Sequence, residues 1–190
     1  MRRTAFALVT GLSMAGLMSG CMSPEGATIS EKRAAVQEMR TDTLAKLYDI
    51  HPIAQEQIRD AAGYGVFSNI GVNLVLLSAG SGFGVVRDNG TDQDVYMKMV
   101  SGGVGIGLGA KDFRGVFVFE TDEALRNFVD SGWDASGQAD AVAKAGDKGA
   151  SYAGAIDIAP GIKLYQITEN GLALQATIQG TKYWRDDDLS

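Results

Sequence analysis

Between Thr28 and Ile50 the apolar positions Val36, Met39, Leu44 and Leu47, with Thr43 in the same stripe, recur every three or four residues. Thr28 and Glu31 have the spacing of a capping box, so the pattern predicts an amphipathic helix over about 29–49. Pro52 suits the first turn of a second, short helix whose Ile53, Ala54, Ile58 and Ala61 face inward, and Gly63 ends it. From Tyr64 the period shortens. YGVFS (64–68), VNLVLL (72–77), SGFGVVR (81–87), DVYMKMVS (94–101), GVGIGLGA (103–110) and RGVFVFE (114–120) each predict a strand, and Asp88, Asn89 and Gly90 supply a turn. Successive hairpins of this kind predict an antiparallel meander. Residues 122–132 return to helical spacing through Leu125, Phe128 and Val129, with Asp122 near the N-terminus. QADAVAKAGDKGA (138–150) reads equally as a short helix or an irregular crossover. GAIDIA (154–159), IKLYQIT (162–168) and LALQATIQGTKYW (172–184) close the chain as strands, with a turn at Glu169, Asn170 and Gly171.

Helices at the front and middle, with strands grouped between them, predict an α+β fold. Its sheet is mostly antiparallel, strongly curved or barrel-like, with the N-terminal and mid-chain helices packed on it. Glycine modifies that picture most. There are 25 glycines in 190 residues, and SGGVGIGLGAK (101–111) sets one at nearly every second position, leaving one face of a strand bare. Gly105, Gly107 and Ala110 satisfy a permissive dinucleotide-binding pattern, but KDFRGVFVF follows as a strand where that site requires a helix N-terminus. Bare faces instead allow sharp bending, or let a helix or an acyl chain approach the backbone.

The first residues place the chain. Arg2 and Arg3 precede an uncharged, mostly apolar run, TAFALVTGLSMAGLM, too short to span a bilayer comfortably and laid out as a secretory signal. It leads into Leu17, Met18, Ser19, Gly20 and Cys21, which resembles the lipobox of bacterial lipoproteins, with Met18 where that pattern prefers leucine. That resemblance implies cleavage after residue 20 and lipidation, palmitate included, at Cys21. Met22, in place of an aspartate, implies sorting to the outer membrane, where a lipid-anchored domain would face the periplasm. The expected organisation is a cleaved signal peptide (1–20), a lipidated N-terminus and tether (21–28) and one domain (29–190). Cys21 is the only cysteine, which excludes an internal disulfide and a cysteine-type structural metal site.

Charge excludes another class. The chain has 17 basic and 23 acidic residues, net −6; losing residues 1–20 removes two arginines and no acidic residue, giving −8. Bulk electrostatics of that sign does not suit a nucleic-acid binder.

AAGYGVFSNIG (61–71), GSGFGVVRD (80–88), GGVGIGLGAKD (102–112), VFVFETDEAL (116–125) and GLALQATIQG (171–180) occur in an order and spacing that resembles the SYLF-domain family. These are lipid-binding domains, found in bacteria in secreted proteins or lipoproteins and in eukaryotes in membrane-associated proteins. The resemblance covers roughly residues 40–184 and implies a phospholipid membrane as partner, with anionic headgroups as ligand. The family's phosphoinositide and actin partners are not carried over to a bacterial chain.

The residues offer no enzyme signature, cofactor site or metal site. His51 is the only histidine, and its place before Pro52 suits a turn between helices; no nucleophile elbow accompanies it. Asp186, Asp187 and Asp188 lack the spacing of a calcium loop and read as a solvated terminus. Asp122 and Glu123 fit helix-start electrostatics. Lipid contact needs cations beside amphipathic rings, and Lys182, Tyr183, Trp184 and Arg185 combine them at the end of the last strand. Lys98, Lys111 and Arg114 form a second candidate group around the glycine-rich hairpin. The first helix, with Lys32, Arg33, Arg40 and Lys46, suits either a membrane surface or the core. The competing functional class is an interaction protein that recruits an envelope partner, with only the lipid anchor touching the membrane.

Overall fold

The computed structural model describes residues 23–134, 154–168, 171–172 and 180–190, with backbone alone for 70–78, 103–113, 168 and 171–172. The signal segment, Cys21 and QADAVAKAGDKGA lie outside the described residues, as does most of LALQATIQG.

Helix α1 (Ile29–Ile50) begins at Thr28, whose side chain accepts from the Glu31 amide while the Glu31 carboxylate accepts from the Thr28 amide, completing the capping box. Those backbone hydrogen bonds hold the Glu31 carboxyl below its ordinary pKa. α1 buries Val36, Met39, Thr43 and Leu47, the stripe that its sequence period marks out. Helix α2 (Ile53–Asp60) follows at once and buries Ala54 and Ile58.

The six short strands expected between residues 64 and 120 are two long ones, β1 (Gly63–Asp88) and β2 (Asp94–Phe119), of 26 residues each. They form a single hairpin, closed at Asp88, whose carboxylate accepts from the Gly90 and Thr91 amides. The meander is thus replaced by one ribbon, because the glycine pairs inside it continue the ladder rather than turn the chain. Between Val75 and Leu77 the register slips by one residue against Val104 and Gly107, a bulge within the glycine-rich run. After β2 come helix α3 (Asp122–Ser131), β3 (Trp133–Asp134), β4 (Ile156–Ala159), β5 (Ile162–Thr168), β6 (Gly171–Leu172) and β7 (Thr181–Arg185). β5 pairs with the end of β2 and β7 with its beginning, all antiparallel, in one sheet of seven described strands.

The ribbon folds back on itself. A Cβ at Gly82 would strike the Ser68 carbonyl, one at Gly84 the Val66 carbonyl and Phe67 ring, and one at Gly63 the Arg87 carbonyl. The two ends of β1 therefore lie against each other, and the sheet curls into a half-barrel. This is the strongly curved α+β architecture that the pattern of elements predicts.

Alternation along the strands then gives two cores. Phe67, Met97, Met99, Phe117, Phe119 and Tyr183 point inward, where α3 adds Leu125, Phe128 and Val129. The Phe67, Phe117, Phe128 and Tyr183 rings meet edge-on or tilted with centroids 4.8–6.1 Å apart. Val66, Val85, Val116, Val118, Tyr165 and Ile167 point outward, under α1 and α2. Packing a helix on each face is what the sheet's two apolar faces require.

Gly82→Ala should destabilise the domain by about 3 kcal/mol or more, since the obstructing atoms are backbone and cannot rotate away. Gly102→Ala, where a Cβ meets nothing within 4 Å, should stay within about 0.5 kcal/mol of the parent. Urea unfolding of the two variants checks the contrast.

Candidate functional site

β7 lies along the first part of β2, pairing Val100 with Lys182, Met99 with Tyr183 and Lys98 with Trp184. The pleat sends Met99 and Tyr183 to the aromatic core and places Lys98, Val100, Lys182 and Trp184 together on the outer face. Val100 is 40% exposed, Lys182 is exposed and Trp184 is half-buried. An exposed valine, an indole and a primary amine thus share one surface beyond the edge of α1.

The C-terminal residues frame this surface. Rather than a solvated tail, Asp186–Ser190 form a tight turn: the Asp186 amide donates to the Tyr96 carbonyl, the Leu189 amide to the Asp186 carbonyl, and the Asp188 amide to Asp186 Oδ1. Leu189 is 2% exposed, in the outer core, and its carbonyl accepts from Arg33 Nε of α1. The signal for this turn in the sequence is Leu189 itself, an apolar residue placed after three aspartates. Lys98 Nζ lies 2.8 Å from Asp186 Oδ1 and 2.7 Å from Asp188 Oδ2. The hydrogen bonds to Asp186 and Asp188 raise the Lys98 pKa, and the hydrogen bond from Lys98 lowers that of Asp188.

The other candidates go elsewhere. Tyr183 is 5% exposed in the aromatic core, and burial pushes its phenol pKa up. Arg185 leaves the strand end toward α3, donating from Nε to the Val129 carbonyl and pairing with Asp130 at 2.6 Å, where a cation suits a helix C-terminus. Arg114 lies beneath α1 and donates to Thr43 Oγ1 at 3.1 Å and the Met39 carbonyl at 3.4 Å. The Lys111 side chain and Cys21 lie outside the described residues. Of the seven lipid-contact candidates, the structure therefore brings Lys182, Trp184 and Lys98 together, and Lys98 arrives already paired with two carboxylates.

α1 is tied down along its length. Arg40 pairs with Asp94 at 3.0 Å, Asp94 also binds Arg87 at 3.1 Å and accepts from Gln37, and Arg33 stacks over the Tyr96 ring. That places α1 in the fold as a core helix. His51 stands where the sequence puts it, between the helices: its amide caps α1 on the Leu47 carbonyl and its ring packs 5.5 Å from Tyr165. Its Nε2 is buried without a hydrogen-bond partner among the described residues. Tyr165 donates to Gln57, and burial pushes its pKa up to about 12. Among the described residues no group of three or more His, Cys, Asp or Glu is placed to hold a metal ion. No described helix is long and apolar enough to cross a membrane.

No protein-family model matches the chain. It is similar to Beta cell expansion factor A of Aeromonas veronii, 35% identical over 165 residues, which is 86% of this chain and 60% of the relative. The chain thus spans less than two thirds of the length of that curated relative.

Two outcomes test the C-terminal turn. Leu189→Ala should cost about 2–4 kcal/mol of stability, as for a buried leucine elsewhere. Asp188 is depressed by Lys98, so its ion pair is present above the ordinary carboxylate pKa and is lost as pH falls through the lowered value. Lys98 is raised, so its contribution persists through neutral pH and is lost only as pH rises through the elevated amine value. In Lys98→Met, an NMR titration should return Asp188 to the ordinary carboxylate range.

Proposed function

We propose that this is a SYLF-like, non-catalytic lipid-binding domain of the bacterial envelope. In this reading Cys21 anchors it in the outer membrane, facing the periplasm, and the outer face of β2 and β7 touches the phospholipid surface. The support is the ordered run of SYLF-like segments across residues 61–180 and one feature of the fold. Val100, Trp184 and Lys182 form an uncovered surface that joins an apolar contact, an interfacial ring and a phosphate-binding amine.

The position of this surface favours the reading. Trp184 pairs with Lys98, Lys98 with Asp188, and Asp188 feels the charge of Lys32 in the first turn of α1. The surface therefore lies near the end of α1 from which the tether runs back toward Cys21. A lipid anchor at that end raises the effective concentration of the bilayer beside it, so a weak second contact suffices. The seven-residue reach from Cys21 to Thr28 spans at most about 25 Å when extended.

Both core clusters draw only on residues from Val36 onward, so residues 22–190 contain the described fold. In vesicle co-sedimentation of that non-lipidated chain, Trp184→Ala should weaken binding roughly tenfold, the effect of removing about 60 Å² of apolar contact. Lys182→Ala should weaken it less, by roughly two- to fivefold. Equal binding by parent and both variants, or no binding by the parent, would leave the anchor as the only membrane contact and favour recruitment of an envelope protein.

A further inference from the structure

Resting on the proposed lipid contact, we infer that the outer face of β2 and β7 selects zwitterionic amino-phospholipid headgroups over anionic ones. The family resemblance points the other way, to an anionic lipid met by two groups of candidate cations, Lys182 with Arg185 and Lys98 with Lys111 and Arg114. The structure changes the charge count at the surface. Lys98 is held between Asp186 and Asp188, at 2.8 and 2.7 Å, and its side chain is largely covered. Asp186 is buried, but Asp187 is exposed and the Asp188 side chain is 83% exposed. Among the described residues Lys182 is the exposed cation of the face, and its cross-strand neighbour on β3 is Asp134, also exposed. The exposed carboxylates of Asp134 and Asp188 beside one exposed amine next to Val100 do not make a positive patch.

They do match a headgroup that carries both signs. Lys98 and Val100 are successive outward positions on β2, about 7 Å apart along the strand, and Lys182 lies directly across from Val100. Asp188 is bound to the Lys98 end. Amine and carboxylate are thus separated by a short span along one surface, with Trp184 beside it. A phosphate seated at Lys182 would leave the ammonium of an aminoethyl headgroup free to reach toward the Asp188 carboxylate at the Lys98 end. A glycerol headgroup has the phosphate but no ammonium, and it adds net negative charge beside that carboxylate. Because attraction and repulsion cancel at long range, association should depend little on salt.

The test is co-sedimentation of residues 22–190 with three vesicle types: phosphatidylcholine alone, phosphatidylcholine with phosphatidylethanolamine, and phosphatidylcholine with phosphatidylglycerol, each at low and moderate salt. The expected result is tightest binding to the ethanolamine vesicles with little change on adding salt. Asp188→Asn should lower the ethanolamine-to-glycerol binding ratio by roughly two- to fivefold, with circular dichroism and melting showing the fold intact. A lost C-terminal turn would change binding to all vesicles alike, whereas headgroup selection changes the ratio. Tighter binding to the glycerol vesicles, weakened by salt, would overturn the inference while leaving lipid binding in place. No binding to any vesicle would overturn both.

Discussion

The contact on which this structure depends is between two stretches of one strand. β1 is long enough to pass its own beginning, and at Gly63, Gly82 and Gly84 backbone meets backbone where any side chain would intervene. That approach turns a flat hairpin of two 26-residue strands into a curled sheet with an inside and an outside. Inside, the curvature gathers Phe67, Phe117, Phe119 and Tyr183 into one cluster that α3 closes. Outside, the same strands present valines, which are short enough for α1 and α2 to lie close above them.

Function in this account is a matter of what α1 leaves uncovered. The helix is fixed by Arg33, Gln37, Arg40 and the Thr43–Arg114 contact, so it is committed to the sheet along most of its length. Beyond it no described helix covers the outer face of β2 and β7, and the alternation that buries Tyr183 is what exposes Lys182 and brings Trp184 to the surface. Stability and exposure there have a common cause in the strand's two-residue period. The C-terminal turn adds the last element, since docking Leu189 carries Asp188 to Lys98 and sets the charge of the surface.

Much of the fold was legible in local pattern. The capping box of α1, its buried stripe, the amphipathic α3 and the turn at Asp88 follow from spacing and residue type. Strand lengths were not legible, because a glycine such as Gly80 looks like a break while the ladder runs through it, and Gly82 beyond it is a place of close approach. At the candidate surface, sequence placed Lys182, Tyr183, Trp184 and Arg185 together, and the pleat necessarily divides such neighbours between two faces. Pairings between distant residues, Lys98 with Asp186 and Asp188 or Arg114 with Thr43, carry no local signal at all. The bare glycine face at 102–110 has its backbone in the hairpin ladder, where the bulge falls, and what meets that face lies outside the described side chains.

The central claim, that the outer face of β2 and β7 enters the phospholipid interface, is most directly tested by the fluorescence of Trp184. The chain has two tryptophans, and Trp133 packs against the aromatic core, so Trp133→Phe leaves Trp184 as the sole reporter. With vesicles carrying bromine at shallow acyl positions, that emission should shift to the blue and be quenched. Emission unchanged in the presence of vesicles would contradict it.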